Sequence, residues 1–299
     1  MFTSLTLLSL VSVAINTHDF GTHTAEPSSL YTETPRARSS QQTTGTTRDS
    51  SAPGPAARIF DHTHSLWNQT LAQNVRGDGF DYASVKKRPD KLTAYLDLVH
   101  GVTPDELGSW TAPQRFAFWI NVYNAHTVKK VVDNYPIKSI KKLSGVFGFK
   151  SVFDEDFIDM PLFKPGGKGK KLSLNDIEHK ILRRQFKDAR LHSAVNCASH
   201  SCPPLRNEAF TADKLDAQLG EQMRAFINDP KRNQFDKKKD LLRLSKIFDW
   251  FQEDFKRDAG SVRAYLIRYA PPEDAEFIRT KRIKFLSYDW ALNDVEPTD

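Results

Sequence analysis

Two cysteines and three histidines lie close together in the chain and are the first residues to ask for chemistry. Cys197 and Cys202 are the only cysteines, and they share one short segment with His192 and His200. A thiol near an imidazole can act as a nucleophile once it is deprotonated. Cys202 precedes Pro203-Pro204, and proline favours the first turn of a helix. A sulfur at such a helix start would be stabilised as thiolate, with His192 or His179 as base and Glu178 or an asparagine as the orienting group. The same cysteines also read as a disulfide closing a small loop. A zinc site from His192, Cys197, His200 and Cys202 is the third alternative. Those four ligands crowd into eleven residues without the usual spacing, so no metal is assigned.

The elements around this segment decide which side chains can meet. Residues 190–197 read as a strand whose alternation puts Arg190, His192, Ala194 and Asn196 on one face. Residues 173–185 read as a helix, with Ser173 as cap, Asp176 at the third helical position and a Leu172–Ile177 staple. Its apolar face is Leu174, Ile177, Ile181 and Leu182. Glu178 falls inside that face at helical spacing, and His179 falls at its edge. A carboxylate there needs a partner, either a structural one or an imidazole that it orients. Residues 111–134 form the clearest helix, with a capping box from Thr111 and Gln114, Pro113 in the first turn and Pro136 beyond the end. It is apolar almost all round and so should be central. Asn121 and Asn124 share one of its faces; as buried amides they read first as braces and second as binding groups, with Asn196 and Cys197 as the other binding candidates.

Further helices are expected at 61–75, 89–99, 213–228, 245–257 and 261–270. Extended segments are expected at 80–82, 241–244 and 282–288. The architecture implied is α+β, a mainly helical single domain at 58–299 with a small sheet covered by helices. Residues 1–15 read as a signal peptide, with an apolar run from Leu5 to Ile15 and a cleavage site after Ala14, although Met1-Phe2-Thr3-Ser4 lacks a basic residue. Residues 16–57 read as a disordered spacer, since fourteen of the 36 residues at 22–57 are Ser or Thr and cannot bury enough apolar surface to order themselves. The implied destination is secreted or periplasmic if the leader is cleaved, and cytoplasmic otherwise.

The recurring strings of the chain resemble those of the uncharacterised family called domain of unknown function 547. They are Phe80-Asp81-Tyr82, residues 116–125, 134–140, 172–183, the loop 197–205, 245–251 and 288–293. The resemblance covers most of the domain, from about 80 to 293, and implies its fold without supplying a reaction. Ser193 departs from the family, whose members often carry an aromatic residue after the histidine at 192.

Net charge is +6, which is milder than that of a dedicated nucleic-acid binder. Lysine clusters at 138–142, 164–171, 231–239 and 281–284 lack interleaved aromatics and read as solvated loops. The glycines at 166–169 do not form a phosphate loop, and no motif calls for a cofactor. No stretch reaches the roughly 20 apolar residues of a membrane-spanning helix. Two functions follow: a thiol-dependent hydrolase or acyl transferase acting on an unknown substrate, or a non-catalytic binding or scaffold domain held by a Cys197–Cys202 disulfide and meeting an unknown protein partner.

Overall fold

A computed structural model describes residues 59–143, 150–160 and 171–295. The expected leader and spacer lie outside the described residues, as does most of the lysine cluster at 164–171. All described residues fall within the unit Ala57–Asp299. Helices dominate it, with two small sheets, so the mainly helical α+β expectation holds.

Helix α1 (Ser65–Asn74) leads into a hairpin of β1 (Val75–Arg76) and β2 (Gly79–Phe80). The turn runs through Gly77 at φ 56°, a backbone region that favours glycine. The extended segment expected at 80–82 ends early, because the Asp81 carboxylate accepts from Ser84 N–H at 2.8 Å and starts α2 (Tyr82–Lys87). Next come α3 (Asp90–Gly101) and α4 (Pro104–Ser109), the latter capped by Thr103.

Helix α5 (Ala112–Asn134) carries the capping box anticipated from Thr111 and Gln114. Every residue from Phe116 to Val128 is buried, so this helix is the axis of one hydrophobic core that also takes up α1, α3 and the residues around Ile177. The next long helical segment is wound unusually. Ser173 Oγ accepts from Asp176 N–H and the Asp176 carboxylate accepts from Ser173 N–H, each at 3.0 Å, as a cap should. The segment Asp176–Leu182 is then π-helical, closed by Arg183 N–H onto Glu178 C=O, before the single turn α6 (Arg183–Gln185). A π-wound turn shifts side chains off ordinary α register, and such turns often lie at functional sites.

The strand expected at 190–197 is not one. Residues Leu191–Ala194 make a helical turn, α7, and only Val195 onwards is extended. The Asp188 carboxylate accepts from Arg190 N–H, and Asp188, Ala189 and Arg190 carbonyls accept from the next three amides. All four α7 residues are buried, so there is no solvent face for alternation to report.

Helix α8 (Leu215–Ile227) begins a second core. A three-stranded sheet follows, with β3 (Gln234–Asp236) antiparallel to β4 (Leu241–Leu244) and β4 parallel to β5 (Arg282–Phe285). Helices α9 (Ile247–Trp250), α10 (Gln252–Ala259), α11 (Val262–Ile267) and α12 (Ala275–Thr280) lie between β4 and β5. The two cores approach each other around α7, since Ala194 belongs to the first and Ala189 to the second. No helix among the described residues is long and apolar enough to cross a membrane.

Candidate functional site

A cavity of about 160 Å³ brings together Cys197, Cys202, Glu178, His179 and His192, five residues singled out in the sequence. It lies where the π-helical segment and α5 meet α7 and α9.

The cysteine loop is held by side chains from four directions. Asn124 on α5 donates to Ala194 C=O at 2.9 Å and accepts from Asn196 N–H at 2.8 Å. Asn196 accepts from Ala198 N–H and donates to Pro203 C=O, both at 2.8 Å. Gln222 donates to Pro204 C=O at 2.7 Å. Arg232 is buried and donates to Cys202 C=O at 2.7 Å and to His200 C=O at 2.9 Å. These donors hold three successive carbonyls, so the helix expected from Pro203 does not form and Cys202 does not sit at a helix start. Within the lysine cluster expected to be solvated, Arg232 is a brace. Asn121 braces elsewhere, exchanging bonds of 2.7 and 3.1 Å with the Phe210 backbone. None of the three asparagines lines the cavity.

The two cysteines are free thiols 2.9 Å apart at sulfur. Cys197 Sγ also lies 3.1 Å from Ser199 Oγ and 3.1 Å from Tyr288 Oη. Burial pushes the Cys197 thiol up, but the hydrogen bonds from Cys202, Ser199 and Tyr288 outweigh it and bring the group below its ordinary value. Burial, and then the Cys197 sulfur, push Cys202 well above. Of the two sulfurs Cys197 is thus the more easily ionised, with Cys202 placed to donate to it, although Cys202 was expected to be the thiolate. Tyr288 is likewise held protonated by burial and the two sulfurs, so its hydroxyl can donate.

His192 is fixed by a residue that the sequence reading passed over. Its Nε2 lies 2.8 Å from Asp254 Oδ2 on α10, and its ring stacks on Phe251 at 3.9 Å between centroids. Asp254 is buried, which pushes its carboxyl up, yet the bonds from His192 and Arg183 keep it well below the usual carboxylate range. An ionised Asp254 makes Nε2 the protonated nitrogen and leaves Nδ1 with a free lone pair. That Nδ1 is buried without a hydrogen-bond partner among the described residues. Burial brings His192 down to about 4 against the pull of Asp254, so the ring is neutral at ordinary pH.

Glu178 Oε1 sits 3.9 Å from His192 Nδ1, beyond hydrogen-bond reach. The carboxylate expected to orient an imidazole is thus Asp254 and not Glu178. Burial pushes Glu178 up to about 7, moderated by Arg183 and a hydrogen bond with Tyr123. His179 Nδ1 accepts from Arg183 at 3.1 Å, and burial and the guanidinium lower its basicity.

His200 is exposed, 3.5 Å from Asp289, and lines a separate open groove. It does not join the sulfurs, so the four zinc candidates do not converge. Among the described residues no cluster of three or more His, Cys, Asp or Glu side chains is arranged to hold a metal.

Residues 107–227 match the family model described as Protein of unknown function, DUF547, which bears out the resemblance over that stretch. Glu178, His179, His192 and both cysteines fall inside the match, while Asp254 and Tyr288 lie beyond it. No curated protein and no solved structure matches the chain.

Proposed function

We propose that the domain is a thiol-dependent hydrolase or acyl transferase with Cys197 as nucleophile. What carries the reading is the environment of one sulfur. Cys197 Sγ meets Cys202, Ser199 and Tyr288 at 2.9, 3.1 and 3.1 Å, in the same cavity as the free lone pair of His192. A thiolate held by donors attacks carbonyl carbon, and the bond from that carbon to the leaving group breaks. Glu178, protonated below about pH 7, gives its proton to the leaving group. Water then attacks the acyl-Cys197 thioester while His192 Nδ1 takes the water proton. Carboxylic acid and the Cys197 thiolate are released, and the proton on His192 returns to Glu178. With another nucleophile in place of water, the same cycle is acyl transfer. Asp254 acts as a positioning residue for His192.

The test is alkylation of the native full-length chain with iodoacetamide, read by peptide mass spectrometry, alongside turnover of a panel of activated esters and thioesters. Expected are fast labelling at Cys197, little at Cys202, and turnover lost in Cys197→Ser but retained at a reduced level in Cys202→Ala. Equal, slow labelling at both sulfurs together with no turnover would overturn the reading.

The neighbouring sulfurs also favour a second reading, a binding or scaffold domain in which the pair becomes a disulfide. Export of the chain, which we infer from the leader, would favour that state. In that case His192→Ala and Glu178→Gln alter stability alone, and wild type turns over nothing in the ester panel.

A further inference from the structure

We infer that the cavity beside Cys197 is a subsite for a short, uncharged apolar acyl group, about the size of a benzene ring or a chain of four to six carbons. The inference rests on the acyl-transfer reading and names its substrate class.

Three observations carry it. The first is size: about 160 Å³. A dry apolar cavity of roughly 150 Å³ holds one benzene molecule. An acetyl group would leave most of this space empty, and a chain of ten or more carbons would overrun it.

The second is the wall. Beside the sulfurs, Glu178 and the two histidines, the lining includes Phe153, Val195, Ile247, Trp250, Phe251 and Trp290. Trp250 remains 46% exposed, and among the described residues Ile59, at their start, is the only other exposed large apolar side chain. Trp250 packs against Tyr288 at 4.8 Å and Trp290 at 6.2 Å between centroids, and Tyr288 and Trp290 lie 4.6 Å apart. The three rings make one surface that continues to the Tyr288 hydroxyl on Cys197.

The third is charge. The cations near the cavity are already engaged. Arg183 bonds Asp254 at 2.6 Å and stacks over Phe251 at 5.1 Å. His192 is neutral and Glu178 holds its proton below about pH 7. A carboxylate on the acyl chain would share the cavity with the Cys197 thiolate and lack a counter-ion, at high cost. An apolar group gains from every methylene placed against the rings.

The test separates binding from turnover. Tryptophan fluorescence of the full chain is titrated with acetamide, hexanamide and benzamide, and turnover is followed along a 4-nitrophenyl ester series from acetyl through butyryl and hexanoyl to dodecanoyl. Expected is a rise in kcat/KM of about fourfold per methylene up to hexanoyl, the Boltzmann factor for one buried CH2, then a fall at dodecanoyl. Hexanamide and benzamide bind at least tenfold more tightly than acetamide, and Trp250→Ala removes that difference. Equal binding of acetamide and hexanamide by wild type overturns the subsite, whatever the turnover. Selective, Trp250-dependent amide binding with no ester turnover leaves the subsite standing and overturns the acyl-transfer reading instead.

Discussion

His192 Nε2 and Asp254 Oδ2 lie 2.8 Å apart across 62 residues of sequence, and this one bond decides which imidazole nitrogen is free. The same carboxylate also takes Arg183 at 2.6 Å and, through Oδ1, Arg257 at 2.9 Å. It therefore stays ionised and holds the ring in a single tautomer. In Asp254→Asn the amide oxygen can still accept from Nε2–H, but the charge that favours protonation of the ring is gone. We expect deacylation, and kcat where deacylation limits it, to slow by about 10²–10⁴-fold, the range for loss of an effective acid–base group. The acid limb of the deacylation pH–rate profile, set by His192 near 4 in wild type, should move lower. A fall in rate with an unmoved acid limb would mean that Asp254 acts only on stability.

Glu178 and His192 oppose each other in their response to pH. The folded chain holds Glu178 protonated up to about 7, against an ordinary value of 4.5. Stability from this site is complete below about 4.5 and is lost as pH rises through 7, because the unfolded chain releases its proton first. At about 1.4 kcal/mol per unit the total is on the order of 3 kcal/mol. His192, held near 4 against 6.5, contributes stability that is present above 6.5 and lost as pH falls through 4. In Glu178→Gln the first effect disappears. Its urea midpoint should rise with pH between about 4.5 and 6.5, where the opposing slopes of Glu178 and His192 hold wild type nearly flat, and at pH 8 the variant should be the more stable of the two. If wild type and variant keep the same profile from pH 4.5 to 7, Glu178 is not the group responsible.

The approach of Cys197 Sγ to Cys202 Sγ at 2.9 Å makes the pair a target for hydroperoxides. A Cys197 thiolate attacks the peroxide O–O bond, giving a sulfenic acid and hydroxide. Cys202 sulfur then displaces water from it to form a disulfide. Treatment with hydrogen peroxide should lower the intact mass by two hydrogens and abolish alkylation at both positions, and dithiothreitol should restore the thiols. Cys202→Ser lacks the resolving sulfur and should instead gain oxygen at Cys197, going on to forms that dithiothreitol does not reverse. Protection of Cys197 from overoxidation in that variant would exclude the pathway.

Which of these relationships the sequence announces depends on how local their cause is. The Thr111–Gln114 box and the Ser173–Asp176 cap lie three residues apart and are legible at once. Glu178 stood out because a carboxylate interrupts an apolar stripe, and its burial follows. The same signal was present for Asp254, which stands between Phe251 and Phe255 on α10, but it lies among Glu253, Lys256, Arg257 and Asp258 and passes for a solvated acid. The π winding of Asp176–Leu182 leaves no mark in composition. The strand reading of 190–197 failed because a fully buried segment shows no period to interpret. Tyr288 reaches Cys197 across 91 residues, a tertiary fact with no local trace.

Arg232 is the furthest example and yields a sharp expectation. Placed in a lysine-rich stretch, it is nevertheless buried, and its guanidinium donates through Nε to Cys202 C=O and through Nη2 to His200 C=O, while Nη1 pairs with Asp229 and Asp78. Three directions at once require the planar fork. A lysine keeps the charge but has one nitrogen, so Arg232→Lys leaves at least one buried carbonyl unpaired, at about 1–3 kcal/mol each. We expect Arg232→Lys to lose about 2–4 kcal/mol of stability by urea denaturation. Below its unfolding transition, Cys197 should be alkylated with a higher pH midpoint than in wild type, since the loop that holds Cys202 against Cys197 is loosened. Lys231→Ala, one residue away and exposed with an ion pair to Asp78 at 2.8 Å, should change stability by no more than about 0.5 kcal/mol and leave the alkylation midpoint in place. Equal effects from the two substitutions would show that Arg232 contributes charge alone and that the loop is held by its asparagines.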